Sequence, residues 1–284
     1  MQSKVSYIIG FCVAVCLVCS VFVSLAAVGL KDRQETNKLL DRQKKVLTVA
    51  GLIDADAQVS PEEIQSLFSS RIRSVVVDLR TGTVDSETDP ATYDQMKAAK
   101  DDALSDEVDK NPAGVPRVPH RALVYQMSTE AIAEGQEAFS VEAWIFPIHG
   151  KGLWSTLYGY ISLAPDFNQV RGLIFYQHAE TPGLGGEVDN KTWLGKWPNR
   201  LVYGPAGTAF DPTADNAVQL RVIKGTAGSI EEAPHSVDGL SGATITSNGV
   251  SHSLDFWLGG SGFGSFIKNQ LAATAAVQAG GSAP

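Results

Sequence analysis

Cysteine is nearly absent from this 284-residue chain: Cys12, Cys16 and Cys19 are its only three, and none follows. Everything downstream can form neither a disulfide nor a thiolate metal site. Histidine is sparse as well. His120, His149, His178, His235 and His252 include no pair at the spacing of a helical zinc motif. Positive charge is the minority. The 23 Lys and Arg face 31 Asp and Glu, for a net charge of −8 and a pI near 5.1, which argues against a nucleic-acid surface. The acidic stretch Asp101, Asp102, Asp106, Glu107 and Asp109 reads as a solvated loop. No Gly-x-Gly-x-x-Gly follows a strand pattern, so a dinucleotide fingerprint is missing. No Gly-x-Ser-x-Gly elbow occurs either. His235, Asp238 and Ser241 crowd together in sequence, whereas hydrolytic triads assemble from distant segments.

One apolar run, residues 7–30, carries no charge. At about 1.5 Å per residue it is long enough for a bilayer core of about 30 Å. It is long for a signal-peptide core, and Ala26-Ala27-Val28-Gly29 is a weak cleavage site, so a retained membrane helix over 1–30 is expected. Offsets of four and seven put the three cysteines on one helix face, where they read as packing residues at a helix contact. Lys31, Arg33, Lys38, Arg42, Lys44 and Lys45 follow the run, and by charge alone this favours a cytoplasmic domain.

Residues 31–58 read as a helix leaving the membrane and a linker, 59–271 as one soluble domain, and 272–284 as a disordered Ala/Gly/Ser-rich tail. Ser60-Pro61-Glu62-Glu63 is a capping box that opens a helix to about Phe68. Alternation predicts strands over 73–79, 122–127, 138–146, 159–163, 169–178 and 218–223, with a turn at 81–83. Residues 89–121 read as an irregular connection with a short helix near 93–100, and 204–217 as a loop. The helices do not alternate regularly with the strands, which predicts an α+β fold with a twisted, mainly antiparallel sheet.

The most informative stretch is Asp238-Gly239-Leu240-Ser241-Gly242-Ala243-Thr244. Val250, Leu254, Trp257 and Leu258 follow at helical spacing, and Gly259-Gly260 supplies a stop. The unpaired amides at such a helix start favour a phosphate. The hydroxyls of Ser241, Thr244, Thr246 and Ser247 can bond phosphate or be esterified by it. Two further loops stand out. His149-Gly150-Lys151-Gly152-Leu153-Trp154 presents a cation and an aromatic side chain. Glu180-Thr181-Pro182-Gly183-Leu184-Gly185-Gly186 suits backbone contact with a planar ligand.

These three segments resemble a family of flavin-binding domains that carry FMN through a phosphoester to threonine. The likeness runs over about residues 7–271. Its members include the C subunits of the sodium-translocating NADH:quinone oxidoreductases and a shorter sister subunit of the Rnf electron-transport complex. Chain length and the Gly-Lys-Gly-Leu-Trp loop favour the former. The resemblance implies FMN esterified to Thr244, with Asp238, Leu240, Ser241, Gly242, Ala243 and Thr246 around the acceptor. It also implies flavin contacts from Lys151, Trp154, Glu180, Thr181, Gly183 and Leu184. Asp238 either orients or activates the Thr244 hydroxyl, or serves as a turn residue. A separate flavin transferase using FAD is implied. So are neighbouring membrane, flavin and iron–sulfur subunits that hold the NADH and quinone sites, and electron flow coupled to sodium export. The family places the domain on the periplasmic side of the bacterial inner membrane, against the charge count. A non-redox membrane-anchored scaffold is the reading from another class.

Overall fold

The computed structural model describes residues 2–133, 135–136 and 139–280. The chain divides into two units, Met1–Lys44 and Lys45–Pro284. The described residues of the first lie within helix α1 (Gln2–Val49). Its segment Lys4–Lys31 contains an 18-residue stretch with a mean hydropathy of 2.8 and is long and apolar enough to cross a membrane. The side chains of Cys12, Cys16 and Cys19 are exposed within it.

The second unit opens with the buried end of α1, where Val46 and Leu47 are fully enclosed. Helix α2 (Pro61–Arg71) begins as the capping box requires, with Ser60 Oγ accepting from the Glu63 amide at 3.2 Å. The strands are β1 (Ile72–Asp78), β2 (Thr83–Asp85), β3 (Ser105–Glu107), β4 (Arg117–Pro119), β5 (Arg121–Met127), β6 (Ala143–Lys151), β7 (Thr156–Leu163), β8 (Val170–Gln177), β9 (Arg221–Val222) and β10 (Ser236–Val237). Helices α3 (Gln95–Ala98), α4 (Lys191–Leu194), α5 (Thr244–Leu258) and α6 (Gly264–Gly280) complete the list, with a 3-10 turn at Gly185–Asp189. Six strands form one antiparallel sheet in the order β2-β1-β5-β6-β7-β8. Two-stranded pairs β3–β4 (antiparallel) and β9–β10 (parallel) lie apart from it. The α+β class and the mainly antiparallel sheet follow the expectation.

Period-two alternation divides the sheet's side chains between two faces. Val77, Val124, Phe146, Ile148, Leu157, Ile161 and Phe175 join the core formed with Val250, Leu254 and Trp257 of α5 and Phe263, Phe266 and Ile267 at α6. The opposite face carries Tyr125, Tyr160 and Tyr176, and Phe68 of α2 packs edge-on against Tyr125. A Cβ on Gly172 of β8 would come within 2.9 Å of the Val49 carbonyl oxygen, so the end of α1 also lies on this face.

Four expectations change. Residues 89–121, read as an irregular connection with one short helix, also carry the short antiparallel strands β3 and β4. The strand expected over 138–146 is β6, which starts later, at Ala143, and continues to Lys151; Ala138 lies outside the described residues. Pro147 sits in it without cost, because β5 pairs with β6 only through Ile145. The segment 218–223 contributes only two paired residues. The expected disordered tail is helical as far as Gly280, since Ala272, Ala273, Ala275 and Ala276 are strong helix formers; residues 281–284 lie outside the described residues.

Candidate functional site

Helix α5 starts at Thr244 and stops against Gly259, whose amide bonds the Asp255 carbonyl. Thr244 is exposed, and its hydroxyl makes no hydrogen bond among the described residues. The preceding Ala243 offers no side-chain cap. Its amide bonds the Leu240 carbonyl at 3.1 Å and the Ser247 amide bonds the Ala243 carbonyl at 3.0 Å, while the amides of Thr244, Ile245 and Thr246 have no acceptor among the described residues. Three uncapped amides at the positive end of a 15-residue helix lie beside an unbonded hydroxyl, an arrangement that favours an anion.

The other hydroxyls of this region are engaged. Thr246, almost fully buried, donates to Glu180 Oε2 at 2.7 Å. Ser247 Oγ accepts from the Leu240 amide at 3.1 Å. Ser251 Oγ accepts from the Val222 amide at 2.9 Å. Only Ser241 and Thr244 present exposed, unengaged hydroxyls along the loop and the first turn, among the described residues.

Glu180 joins the three segments singled out by sequence. It is 5% exposed. Its Oε1 accepts from the amides of Trp154 (2.9 Å) and Ser155 (3.0 Å) and from Ser155 Oγ (3.2 Å). Its Oε2 accepts from Thr246 and from the Leu153 amide at 3.2 Å. Ser155 Oγ also accepts from the Ala179 amide at 2.8 Å, which makes it a bridge. Burial pushes the Glu180 carboxyl up, but the Thr246 hydroxyl and the amides of Trp154, Ser155 and Leu153 outweigh it and hold the pKa below the ordinary value. The carboxylate stays ionised under a layer of protein. Two glycines leave room for it. A Cβ on Gly152 or on Gly185 would approach it to 2.7 Å.

Large apolar side chains are exposed on the segments around this buried charge. Leu153, Trp154 (71% exposed), Leu184 and Ile245 (58% exposed) are large, solvent-facing hydrophobic side chains. Leu184 Cδ2 lies 3.0 Å from where a Cβ on Gly242 would be, so it rests on the 238–243 loop. Gly242 and Gly183 have φ of +71° and +75°, values that favour glycine. The Thr181 carbonyl accepts from the Leu184 and Gly186 amides at 3.1 and 2.9 Å and tightens this turn. Lys151 is the exposed last residue of β6, and its stem runs along Gly114. Beside it, burial pushes the pKa of His149 down to about 4, so its ring is neutral, packed 4.6 Å from Trp257.

Asp238 faces elsewhere. Its Oδ2 pairs with Lys196 Nζ, its Oδ1 accepts from the Ala227 amide at 2.8 Å, and no hydrogen bond joins it to Thr244 among the described residues. Sequence reasoning misses Ser155, Ile245, Lys196 and Gly249. Gly249 is the only one with a readable signal, as a glycine inside a helical pattern. A Cβ there would overlap the Lys151 carbonyl oxygen and lie 3.1 Å from its carbon. Gly249→Ala, ordinarily stabilising in a helix by about 1 kcal/mol, is therefore expected to destabilise by about 1–3 kcal/mol through overpacking. Chemical denaturation of the two proteins checks the sign.

Comparison with known proteins bears on this arrangement. The FMN-binding domain family matches residues 152–259. The chain is 46% identical over 258 residues to the C subunit of the Na(+)-translocating NADH-quinone reductase of Pseudomonas aeruginosa, covering 90% of this chain and 92% of that one. It is 41% identical over 263 residues to the equivalent protein of Vibrio alginolyticus, covering 91% and 92%. Among solved structures it resembles NqrC of Shewanella oneidensis, with a TM-score of 0.69 and 29% identity over 84% of this chain and 99% of that one. The structure of the corresponding reductase subunit from Parabacteroides distasonis gives a TM-score of 0.58 at 26% identity over 84% and 96%.

Proposed function

Since the chain belongs to the NqrC family of sodium-translocating NADH-quinone reductase subunits, we propose that it holds FMN covalently, by a phosphoester to Thr244, on the periplasmic side of the inner membrane. The coarser identity needs no proposal. The chain is a membrane-anchored flavoprotein subunit of an oxidoreductase that is also a translocase, and it carries an FMN-binding domain.

The observation that carries the ester is the state of one hydroxyl. Thr244 Oγ1 is exposed, unbonded among the described residues, and set at three uncapped amides. Ser241 shares the exposure but stands before the helix starts. The first-turn amides and the helix dipole would hold the phosphate. Leu153, Trp154, Leu184 and Ile245 would cover a planar apolar ring system and limit water around it. Glu180 would fix the shape of that platform from below. FMN, once bound, supplies a centre that takes up and passes on single electrons; the protein sets its position and exposure. Neighbouring subunits of the complex would donate and accept those electrons.

An ester has a physical advantage here. A cofactor held only by an open, partly apolar surface dissociates into a compartment that contains little of it. A covalent bond removes that route. The test is the mass of the intact chain isolated from its native host, followed by peptide mapping. An FMN increment on the peptide containing Thr244 is expected. An unmodified Thr244 peptide in protein matured in its own host would overturn the proposal.

A further inference from the structure

Asp238 is held so completely that it points to a role for the residues that hold it. Lys196 Nζ pairs with its carboxylate, and the indole Nε1 of Trp193 donates to its backbone carbonyl at 2.8 Å. The next amide, Gly239, bonds the Gly225 carbonyl at 2.8 Å. Lys196 is itself anchored. The nearly buried Arg200 donates from Nε to the Lys196 carbonyl at 3.3 Å, and from its other nitrogens to the carbonyls of Gly228, Ser229 and Ala233. A segment outside the acceptor motif thus grips the residue at which that motif begins, six positions before Thr244.

We propose that Trp193 and Lys196 are positioning residues for flavin attachment: they clamp Asp238 so that the 238–243 loop presents Thr244 in one arrangement to the transferase. The inference rests on the reading of Thr244 as the acceptor. In the transfer, the Thr244 oxygen attacks the FMN-side phosphorus of FAD and the phosphoanhydride bond breaks. AMP leaves with the bonding pair, and the hydroxyl proton passes to a base on the transferase. Asp238 is an anchor in this step, since its two carboxylate oxygens are taken by Lys196 and the Ala227 amide. A loosened clamp lowers the fraction of chains with the loop in the competent arrangement. That raises the apparent KM for the acceptor chain in inverse proportion and leaves kcat in place.

The experiment uses the full chain made without flavin, a flavin transferase and FAD, with in-gel fluorescence read against time. Lys196→Met is expected to raise KM for the chain roughly tenfold at unchanged kcat. Lys196→Arg, which keeps a cation for the carboxylate, is expected to restore most of the loss. Trp193→Phe keeps an aromatic ring while removing the N–H and part of the indole's bulk, so it serves where Lys196→Met fails to fold and its stability is measured beside its kinetics; a rise of about threefold is expected. Wild-type kinetics in folded Lys196→Met overturn the proposal. A collapse of kcat at unchanged KM also overturns it, in favour of Asp238 acting on the hydroxyl. No ester on the wild-type chain, with a transferase active on another acceptor, would instead remove the reading of Thr244 on which the clamp depends.

Discussion

Thr244→Ala is expected to abolish covalent flavin while leaving the chain folded. The two halves of this outcome have separate causes. Thr244 is exposed at the first position of α5 and its hydroxyl bonds nothing among the described residues, so the fold loses no interaction. Alanine is also the better helix former, and a stability change within about 0.5 kcal/mol is expected, as for other surface sites. The proposed ester, by contrast, loses its oxygen. Thr246 cannot substitute, because it is buried and already donates to Glu180. Ser247 cannot, because it is buried under the loop whose Leu240 amide it accepts. Denaturing gels of protein matured with its transferase should show no fluorescent band for the variant. The apolar platform and the first-turn amides remain, so reversible FMN binding that gel filtration strips away is the function expected to survive. A fluorescent band of unchanged intensity would mean that another hydroxyl is the acceptor, and Ser241 would be the first to map. Thr244→Ser retains the oxygen and loses the methyl group that restricts χ1. It should support the ester at reduced yield.

Helix α5 is readable in the sequence because its signals are local. A loop of small residues, a helical spacing of Val250, Leu254 and Trp257, and a glycine stop are all written within about two dozen consecutive residues. The sheet is readable for the same reason, through alternation. Misreadings arise where a residue answers to a distant neighbour. Gly150 reads as loop punctuation, yet it belongs to β6. A Cβ there would meet Ser253 Cβ at 2.6 Å, so it is small because α5 crosses over it. The Ala-rich C-terminal stretch reads as a low-complexity tail, and its composition serves a helix equally well. Asp238 and Lys196 are paired across 42 positions, and nothing near Lys196 marks it. Glu180 has a mode of contact that its sequence setting does not reveal: both carboxylate oxygens accept from protein donors. As a polar residue in a glycine-rich turn it suggests contact with a ligand's edge. Its partners are chiefly backbone amides, which have no identity in a sequence.

That mode makes Glu180 the residue whose loss should cost the fold most near the site. Glu180→Ala would leave the Thr246 hydroxyl and the amides of Leu153, Trp154 and Ser155 without their acceptor in a largely buried setting. Each orphaned donor costs roughly 1–3 kcal/mol when water cannot reach it. Ser155 and the loop amides lie near the surface and will recover some hydration, so a net loss of about 3 kcal/mol is expected. Glu180→Gln is not a mild change here, because its NH₂ group would face N–H donors at one of the two carboxylate positions; about 2 kcal/mol is expected. The pH response separates charge from packing. The folded pKa lies below the unfolded one, so the stabilisation is complete above the unfolded value of about 4.3 and drains as pH falls towards the folded value. Wild-type stability should therefore decline through that acid window more steeply than that of Glu180→Gln, and the two curves should converge at its lower end. Urea denaturation at several pH values measures this. Curves that stay parallel would mean that folding leaves the Glu180 pKa unshifted, so that its hydrogen bonds do not favour the charged form.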